Sequence, residues 1–384
     1  MIHPIQRCTS AGLWNSTLVA AIRRVKRTEM LPIKIQRSFF KQNQYYFTTM
    51  SALATERSVA IQAVLQASRV CQSVFQHLVA NETLTKNDKS PVTVADFSAQ
   101  AIINTYLHKA FPNDPIIGEE DSKDLRGDEG KVLREKVHSL TNGVLDDSEK
   151  LSEEQILEAI DRGNYVGGPK GRHWALDPID GTKGFLRGGQ YAVCLALIID
   201  GQVQLGVMGT PNLPVDPTKP DGEKGTLFIT VRGEGAFQRS FADPTESKIQ
   251  FSDISTTEEA TFCESVEAGH SSHGDAAEIA KLLGITRPSV RMDSQAKYCS
   301  ISRGDGDIYL RLPTSKTYVE KIWDHASGSL LVHEAGGKVT DVNGKPLDFS
   351  IGRTLEANKG VIAANTKIFD RVLESVQKVL GSKL

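Results

Sequence analysis

Trp174-Ala175-Leu176-Asp177-Pro178-Ile179-Asp180-Gly181-Thr182-Lys183-Gly184-Phe185 is the stretch around which the rest of this sequence organises itself. An apolar, strand-like approach ends in two aspartates three residues apart. Pro178 stiffens the turn between them, and Gly181 lets the backbone come close to a ligand. Both carboxylates can face one point, and with the Ile179 carbonyl they form a partial oxygen shell of the kind that a hard cation such as Mg²⁺ takes. The backbone N–H groups after Gly181 suit a phosphate. Acidic turns of this form are common on solvated surfaces, so the segment gains meaning from two others. Ile116-Ile117-Gly118-Glu119-Glu120-Asp121 sets acids directly after a short apolar strand, and Trp323-Asp324-His325-Ala326-Ser327-Gly328 puts an aspartate at the start of a helix. Strand ends and helix starts are where open α/β folds gather ligands.

The 384 residues suffice for two lobes around a shared cleft. Lys plus Arg total 45 against 47 for Asp plus Glu, so no broad electrostatic grip on nucleic acid is expected, and a small ligand is. Cys8, Cys71, Cys194, Cys263 and Cys299 lie far apart, without zinc or redox spacing, and read as reduced thiols. The longest wholly apolar run, Ala192 to Ile199, is far short of the roughly 20 residues that cross a bilayer. The expectation is a monomer that works on a small molecule, with neither nucleic acid nor membrane as partner.

Residues 1–50 differ from the remainder. Arg7, Arg23, Arg24, Lys26, Arg27, Lys34, Arg37 and Lys41 face a single acid, Glu29, with hydroxyl residues between them. This is the composition of a mitochondrial transit peptide; the alternatives are a disordered basic tail, or a cytoplasmic product that starts at Met50.

From Thr55, which can cap it, apolar residues from Val59 to Leu78 recur at three- and four-residue steps and predict a long helix. A second helix is expected from about Val94, after Pro91, with Asp96 in its first turn. Residues 122–164 are dense in charge, with only Ile156, Leu157 and Ile160 marking a short helix, and read as a surface insertion. Gln190–Ile199 and Gln202–Met208 predict strands joined by a tight turn at Asp200-Gly201. Beyond residue 250, short strands alternate with helices, including one from Trp323 to Glu334, and suggest a second α/β lobe. The expected division is therefore 51–250, carrying most of the acids, and 251–384, carrying Asp324. Gly233-Glu234-Gly235 reads as a turn, Gly336-Gly337 as a helix end, and Gly181-Thr182-Lys183-Gly184 lacks the spacing of a nucleotide triphosphate loop. His325 is discounted as a metal ligand, because neighbours on a helix face different ways.

Asp177-Pro178-Ile179-Asp180-Gly181-Thr182 with Trp323-Asp324 resembles the signature of the lithium-sensitive, magnesium-dependent phosphatases that include the inositol monophosphatases, and the resemblance runs from Ala52 to the C-terminus. Four longer strings are similar to the fungal and plant 3′(2′),5′-bisphosphate nucleotidase branch. These are Lys86 to Thr93, Gly181 to Arg187 with Gln190 to Leu197, Gly269-His270-Ser271-Ser272-His273, and Asp293-Ser294-Gln295-Ala296-Lys297-Tyr298-Cys299. Ser327 departs from the family pattern, where alanine is usual.

The resemblance implies an α/β fold, a layered αβαβα sandwich of the inositol monophosphatase and fructose-1,6-bisphosphatase type. It implies two or three Mg²⁺ ions, one held by Glu119, Asp177 and the Ile179 carbonyl, and a second by Asp177, Asp180 and Asp324. Asp96 with Thr182 would orient and deprotonate the attacking water. Thr182, Glu267, His270, Ser294, Lys297 and Arg311 would hold the nucleotide. The implied reaction removes the 3′-phosphate of adenosine 3′,5′-bisphosphate, with 3′-phosphoadenylyl sulfate as a second substrate. The alternatives are an inositol phosphate phosphatase and a catalytically silent nucleotide sensor. Residues 1–50 fused to a fluorescent protein are expected to accumulate in mitochondria, and diffuse cytosolic fluorescence would remove the transit reading.

Overall fold

The computed structural model describes residues 52–80, 90–266, 273–313, 315 and 317–381. From Leu53 onward the chain forms one compact unit, built from two sheets and three layers of helix. Helices α1 (Ala54–Ala80) and α2 (Ser90–Ala110) lead into β1 (Ile116–Gly118), α3 (Lys131–Asn142) and α4 (Glu153–Asp161). Next come β2 (Arg172–Asp180), α5 (Thr182–Leu186), β3 (Ala192–Ile199), β4 (Gln202–Pro214), β5 (Lys224–Val231), β6 (Gly235–Ser240) and β7 (Ser247–Ile249). The remainder comprises β8 (Phe262–Glu264), α6 (His273–Leu283), β9 (Val290–Arg291), α7 (Ala296–Ser302), β10 (Ile308–Arg311), α8 (Ala326–Glu334), β11 (Gly337–Thr340), β12 (Val361–Asn365) and α9 (Phe369–Gly381).

Strands β1 to β7 form a seven-stranded sheet in sequence order. β1 and β2 are parallel and the other pairs antiparallel. The second sheet has the order β11-β12-β10-β8-β9 and is mixed. The expected boundary near residue 250 falls between the last strand of one sheet and the first of the other.

Alternation along the strands decides the layering. Val193, Leu195 and Leu197 of β3 join Leu205 and Val207 of β4 in a core with α1 and α2. Ala192, Cys194 and Met208 face the other way, into a core with Cys299 and Ile301 of α7, Leu331 and Val332 of α8, and Tyr309 and Ala363 of the second sheet. On that sheet's far face, Ile308, Leu310 and Ile362 pack on Ile279 of α6 and Phe369, Val372 and Val376 of α9. The result is the expected α/β sandwich, helix, sheet, helix, sheet, helix. Strands buried on both faces explain why the β3 sequence is continuously apolar rather than alternating.

Several sequence expectations are corrected. The first helix begins at Ala54, so Thr55 lies within its first turn instead of capping it. The second begins at Ser90, with Pro91 in the first turn, where a missing N–H costs no intrahelical bond, and Asp96 is therefore in the second turn. Residues 122–164 hold two helices, not one. In α3 only Val137 and Thr141 are fully buried, Val137 against Phe97 and Ala101 of α2 with Leu133 and Leu140 partly buried beside it, and the charges that clothe its other faces hid this narrow stripe. The α4 start is a capping box, with the Ser152 Oγ accepting from the Gln155 N–H at 3.3 Å and Gln155 Oε1 accepting from the Ser152 N–H at 2.8 Å. Helix α8 starts at Ala326, so Trp323 and Asp324 precede it.

Cys71, Cys194, Cys263 and Cys299 are buried free thiols. Among the described residues, no helix is long and apolar enough to cross a membrane. Asp200 (φ 49°) and Gly201 (φ 74°) form the left-handed pair of the β3–β4 turn, and Ile199 stands opposite Gln202, as a two-residue hairpin requires. A Cβ at Gly201 would meet the Ser350 Cβ at 2.7 Å. Gly201→Ala should therefore lower stability by about 2 kcal/mol or more, read as a fall in the urea midpoint; an unchanged midpoint would contradict the strained turn.

Candidate active site

Parallel pairing of β1 and β2 sets Gly118 beside Leu176, so the two strands deliver Glu119 and Asp177 to the same edge. Gln100 of α2 anchors the acidic loop by accepting from the Glu120 N–H at 3.1 Å and donating to the Glu120 carbonyl at 2.6 Å and the Ile160 carbonyl at 2.9 Å. Asp177 and Asp180 need a further device, because residues three apart on a regular strand face opposite ways. Asp177 pairs with Cys194 and Asp180 with Ala192, three steps on β2 against two on β3. That one-residue bulge restores the parity and turns both carboxylates into one cavity, and Pro178 costs little there because the ladder is already interrupted. Gly181 follows at φ 90°, where any Cβ would stand 2.7 Å from the Ser294 Cβ.

The cavity, of about 210 Å³, is lined by Glu119, Asp177, Asp180 and Asp324 together with Ser294, Lys297 and Arg311, and by Ile179 and Thr182. The structure thus brings together most of the residues singled out in the sequence. Asp96 does not line it; the side chain is buried behind Glu119 and Glu120, whose charges act on it. Glu267 and His270 lie outside the described residues.

Burial dominates the electrostatics. It raises Asp177 well above the ordinary carboxyl range, reinforced by Glu119, Asp180, Asp324 and Asp96. Glu119 is pushed up to about 7 by burial and by Glu120 and Asp180, against a hydrogen bond with Asp177. Asp324 also reaches about 7, through burial and Asp180, with His325 opposing. Asp96 is raised well above its usual value by burial, then by Glu120 and Glu119. For Asp180 burial is countered by Lys297, by the Gln295 N–H and by Arg311. So many acids cannot all be charged in one dry place without cations. Oδ1 of Asp177 and Oδ1 of Asp96 are buried with no hydrogen-bond partner among the described residues, a costly state that a bound hard cation with its water would relieve. The donor set is all oxygen, which fits Mg²⁺ and not a soft metal.

Glu320, Asp324 and His325 also bring ligand atoms within 4.8 Å of one another. His325 is nevertheless committed elsewhere, its Nδ1 2.8 Å from the Tyr298 hydroxyl and its Nε2 3.2 Å from Glu320. Asp324 and His325 both precede the helix and their ligand atoms lie close together, so the expected divergence of helix neighbours does not apply to them; what occupies the imidazole is its two hydrogen bonds. Burial alone would raise Glu320, but His325 and Arg311 overcome it and hold the carboxyl down at about 2. Glu320 in turn accepts from the Arg311 Nε at 3.0 Å, and so aims the guanidinium.

Gln295 escaped the sequence reading, although it lies within the quoted string. Its N–H donates to Asp180 Oδ2 at 2.5 Å, its Nε2 donates to the Trp323 carbonyl at 2.9 Å, and its Oε1 accepts from the Ser327 Oγ at 3.0 Å. The serine that departs from the family pattern thus steadies a residue between two acidic segments. Lys297 is buried, its charge disfavoured by burial and favoured by Asp180, with Nζ 5.2 Å from the centre of the Tyr309 ring.

Residues 52–380 match the model of the inositol monophosphatase family. The 3′(2′),5′-bisphosphate nucleotidase of Emericella nidulans is 52% identical over 348 residues, 85% of this chain and 98% of its own. That of Schizosaccharomyces pombe is 51% identical over 338 residues, 84% and 95%. The 3′(2′),5′-bisphosphate nucleotidase 1 of Arabidopsis thaliana is 46% identical over 347 residues, 86% and 98%. Among solved structures, the inositol monophosphatase from Anabaena superposes with a TM-score of 0.54 at 22% identity over 85% of this chain and 97% of that one. Mycobacterium tuberculosis SuhB gives 0.55 at 21% over 86% and 99%. At such identities the likeness concerns the fold.

The raised carboxyls carry a consequence for stability. With divalent ions chelated, the folded state holds more protons than the unfolded one. The contribution is complete below the ordinary glutamate value of 4.5 and is lost as pH rises through about 7. Glu119→Gln in EDTA at pH 8 should exceed the parent in stability by about 2 kcal/mol, with the gap nearly closed at pH 5. Coincident urea curves at pH 8 would show that the acids do not repel one another in the fold.

Proposed function

The chain belongs to the inositol monophosphatase family, and from that membership, together with the cavity's mixed charge, we infer that it hydrolyses the 3′-phosphate of adenosine 3′,5′-bisphosphate to AMP and phosphate. The observation that carries the reading is that four acids, Glu119, Asp177, Asp180 and Asp324, share one cavity with the cations Lys297 and Arg311. One phosphate needs cations at the acids, and Lys297 with Arg311 suits a second by charge-assisted hydrogen bonds. An inositol monophosphate brings no second phosphate to Lys297 and Arg311, whose present anionic neighbours are Asp180 and Glu320, and this favours the nucleotide. Relatives at 46–52% identity bear the nucleotidase name. The sulfated analogue, 3′-phosphoadenylyl sulfate, presents the same 3′-phosphate and is proposed as a second substrate.

Glu119, Asp177, the Ile179 carbonyl, Asp180 and Asp324 would hold two, or three, Mg²⁺ ions, with Asp177 shared. When bound, Mg²⁺ supplies positive charge that offsets the phosphate oxygens and lowers the cost of the developing leaving-group charge. The chain supplies the rest. Thr182, at the cavity wall, would orient the attacking water, and Asp96, buried beside Glu119 and Glu120 with one oxygen lacking a partner among the described residues, would take its proton once cations offset the neighbouring acids. The water oxygen bonds to phosphorus, the bond from phosphorus to the ribose 3′-oxygen breaks, that oxygen takes a proton from solvent water, and Asp96 returns its proton to solvent. Ser294, held at φ 65°, presents its backbone and hydroxyl to the substrate beside Lys297. The acid-poor stretch 1–50 supports mitochondria as the place of this activity.

The full chain with Mg²⁺ should release phosphate from adenosine 3′,5′-bisphosphate far faster than from inositol 1-phosphate; the reverse order would turn the assignment toward an inositol phosphatase. In the same assay Asp177→Asn should lose about 100-fold or more while its circular dichroism is retained, and Li⁺, similar to Mg²⁺ in size with half the charge, should inhibit at millimolar levels.

A further inference from the structure

Arg353 belongs to none of the acidic segments and does not line the cavity, yet it is bonded to the backbone of two of them. Its Nη2 donates to the Gly118 carbonyl at 2.5 Å, directly before Glu119, and its Nη1 donates to the carbonyls of Gly163 and Tyr165 at 3.0 Å each. The guanidinium carbon stands 4.8 Å from the centre of the Trp323 ring, directly before Asp324. The Arg353 carbonyl accepts from the Ile322 N–H at 3.1 Å, Lys321 bridges Thr354, and the Leu355 N–H donates to the Glu320 carbonyl at 2.9 Å. A single residue therefore spans the segments that carry Glu119 and Asp324.

Those two carboxylates repel each other, so whatever holds their segments together opposes a force that ions relieve. The planar guanidinium suits the task, because its rigid fork reaches three carbonyls in fixed directions while its flat face stacks on the indole; a lysine ammonium can lie over the ring, as Lys321 does, but lacks the pre-organised fork and the planar stack. Burial disfavours the Arg353 charge, and Asp121 and Glu119 favour it.

We propose that Arg353 is a positioning residue that fixes the Glu119 loop against the Trp323-Asp324 segment and thereby sets the affinity of the site for Mg²⁺. The inference rests on the divalent-ion reading above. Partners of this kind, one shell out from the ligands, are generally worth about 10–100-fold in metal affinity.

The test uses the full chain and Mg²⁺ alone, by calorimetric titration and by the shift of the urea midpoint between EDTA and Mg²⁺, which follows occupancy of the folded state. Arg353→Lys should weaken Mg²⁺ binding by about 10–100-fold and shrink the Mg²⁺-induced shift accordingly. Trp323→Phe is the second variant. The indole Nε1 has no hydrogen-bond partner among the described residues, so the change costs no hydrogen bond; it thins the stack and some core packing beside Ile117 and Ile198, the latter read as a loss of stability common to EDTA and Mg²⁺, and a several-fold loss of Mg²⁺ affinity is expected. If Arg353→Lys lowers stability equally in EDTA and Mg²⁺ and both variants bind Mg²⁺ like the parent, Arg353 is a scaffold residue only and the proposal is overturned. Should Arg353→Lys fail to fold, the Trp323→Phe titration decides alone. A parent protein with neither heat nor midpoint shift in Mg²⁺ would sink the divalent-ion reading itself, an outcome separate from the other two.

Discussion

Mutual repulsion among buried carboxylates is the constraint that the rest of this molecule answers to. Asp96, Glu119, Asp177, Asp180 and Asp324 come from distant parts of the chain; burial pushes each of them toward protonation, and the charge of neighbouring acids adds to it at all but Asp180, where Lys297 and Arg311 oppose it. Such a cluster contributes nothing to folding on its own. It persists because sheets, helices and backbone hydrogen bonds hold it in place, and its natural relief is a hard cation. The energy stored in that arrangement becomes binding energy for the ion, and through the ion for a phosphate.

The holding devices differ by segment. A parallel strand pair aligns Glu119 with Asp177, and a one-residue bulge brings Asp180 round to the same side. Gln100 secures the acidic loop from α2, while Gln295 reaches from Asp180 to the Trp323 carbonyl. The strand pair, the bulge and Gln100 act within the first lobe, and the Gln295 contact with Asp180 ties that lobe to the second. The geometry of the site is consequently a property of the whole sandwich, with Lys297 and Arg311 contributed from the side of the second sheet.

The apolar stripe of α1, the Asp200-Gly201 hairpin and the alternation after residue 250 were legible because each rests on local periodicity or turn chemistry. The acids were legible because strand and helix boundaries flank them. Strands β5, β6, β7 and β11 left a weaker signal, and α3 was masked by its charged faces around one thin buried stripe. The bulge was hidden for a different reason: the count of residues on β2 has meaning only against β3. Gln100, Gln295, Glu320 and Arg353 act through backbone atoms or through other side chains, and no spacing in the sequence announces such partners. Asp96 was placed on a helix correctly, but its seat behind the cavity depends on how α2 docks.

Helices α7 and α8 serve both sheets at once, covering one face of each. During synthesis this means that the inner face of the first sheet, with Ala192, Cys194 and Phe228, is complete long before its cover has left the ribosome. The nascent chain must carry an exposed apolar surface until the last third is made, a period in which contacts of high sequence separation have yet to close and association with other chains competes. Placing one helical layer at the centre of the molecule thus ties the solubility of the first sheet to completion of the second.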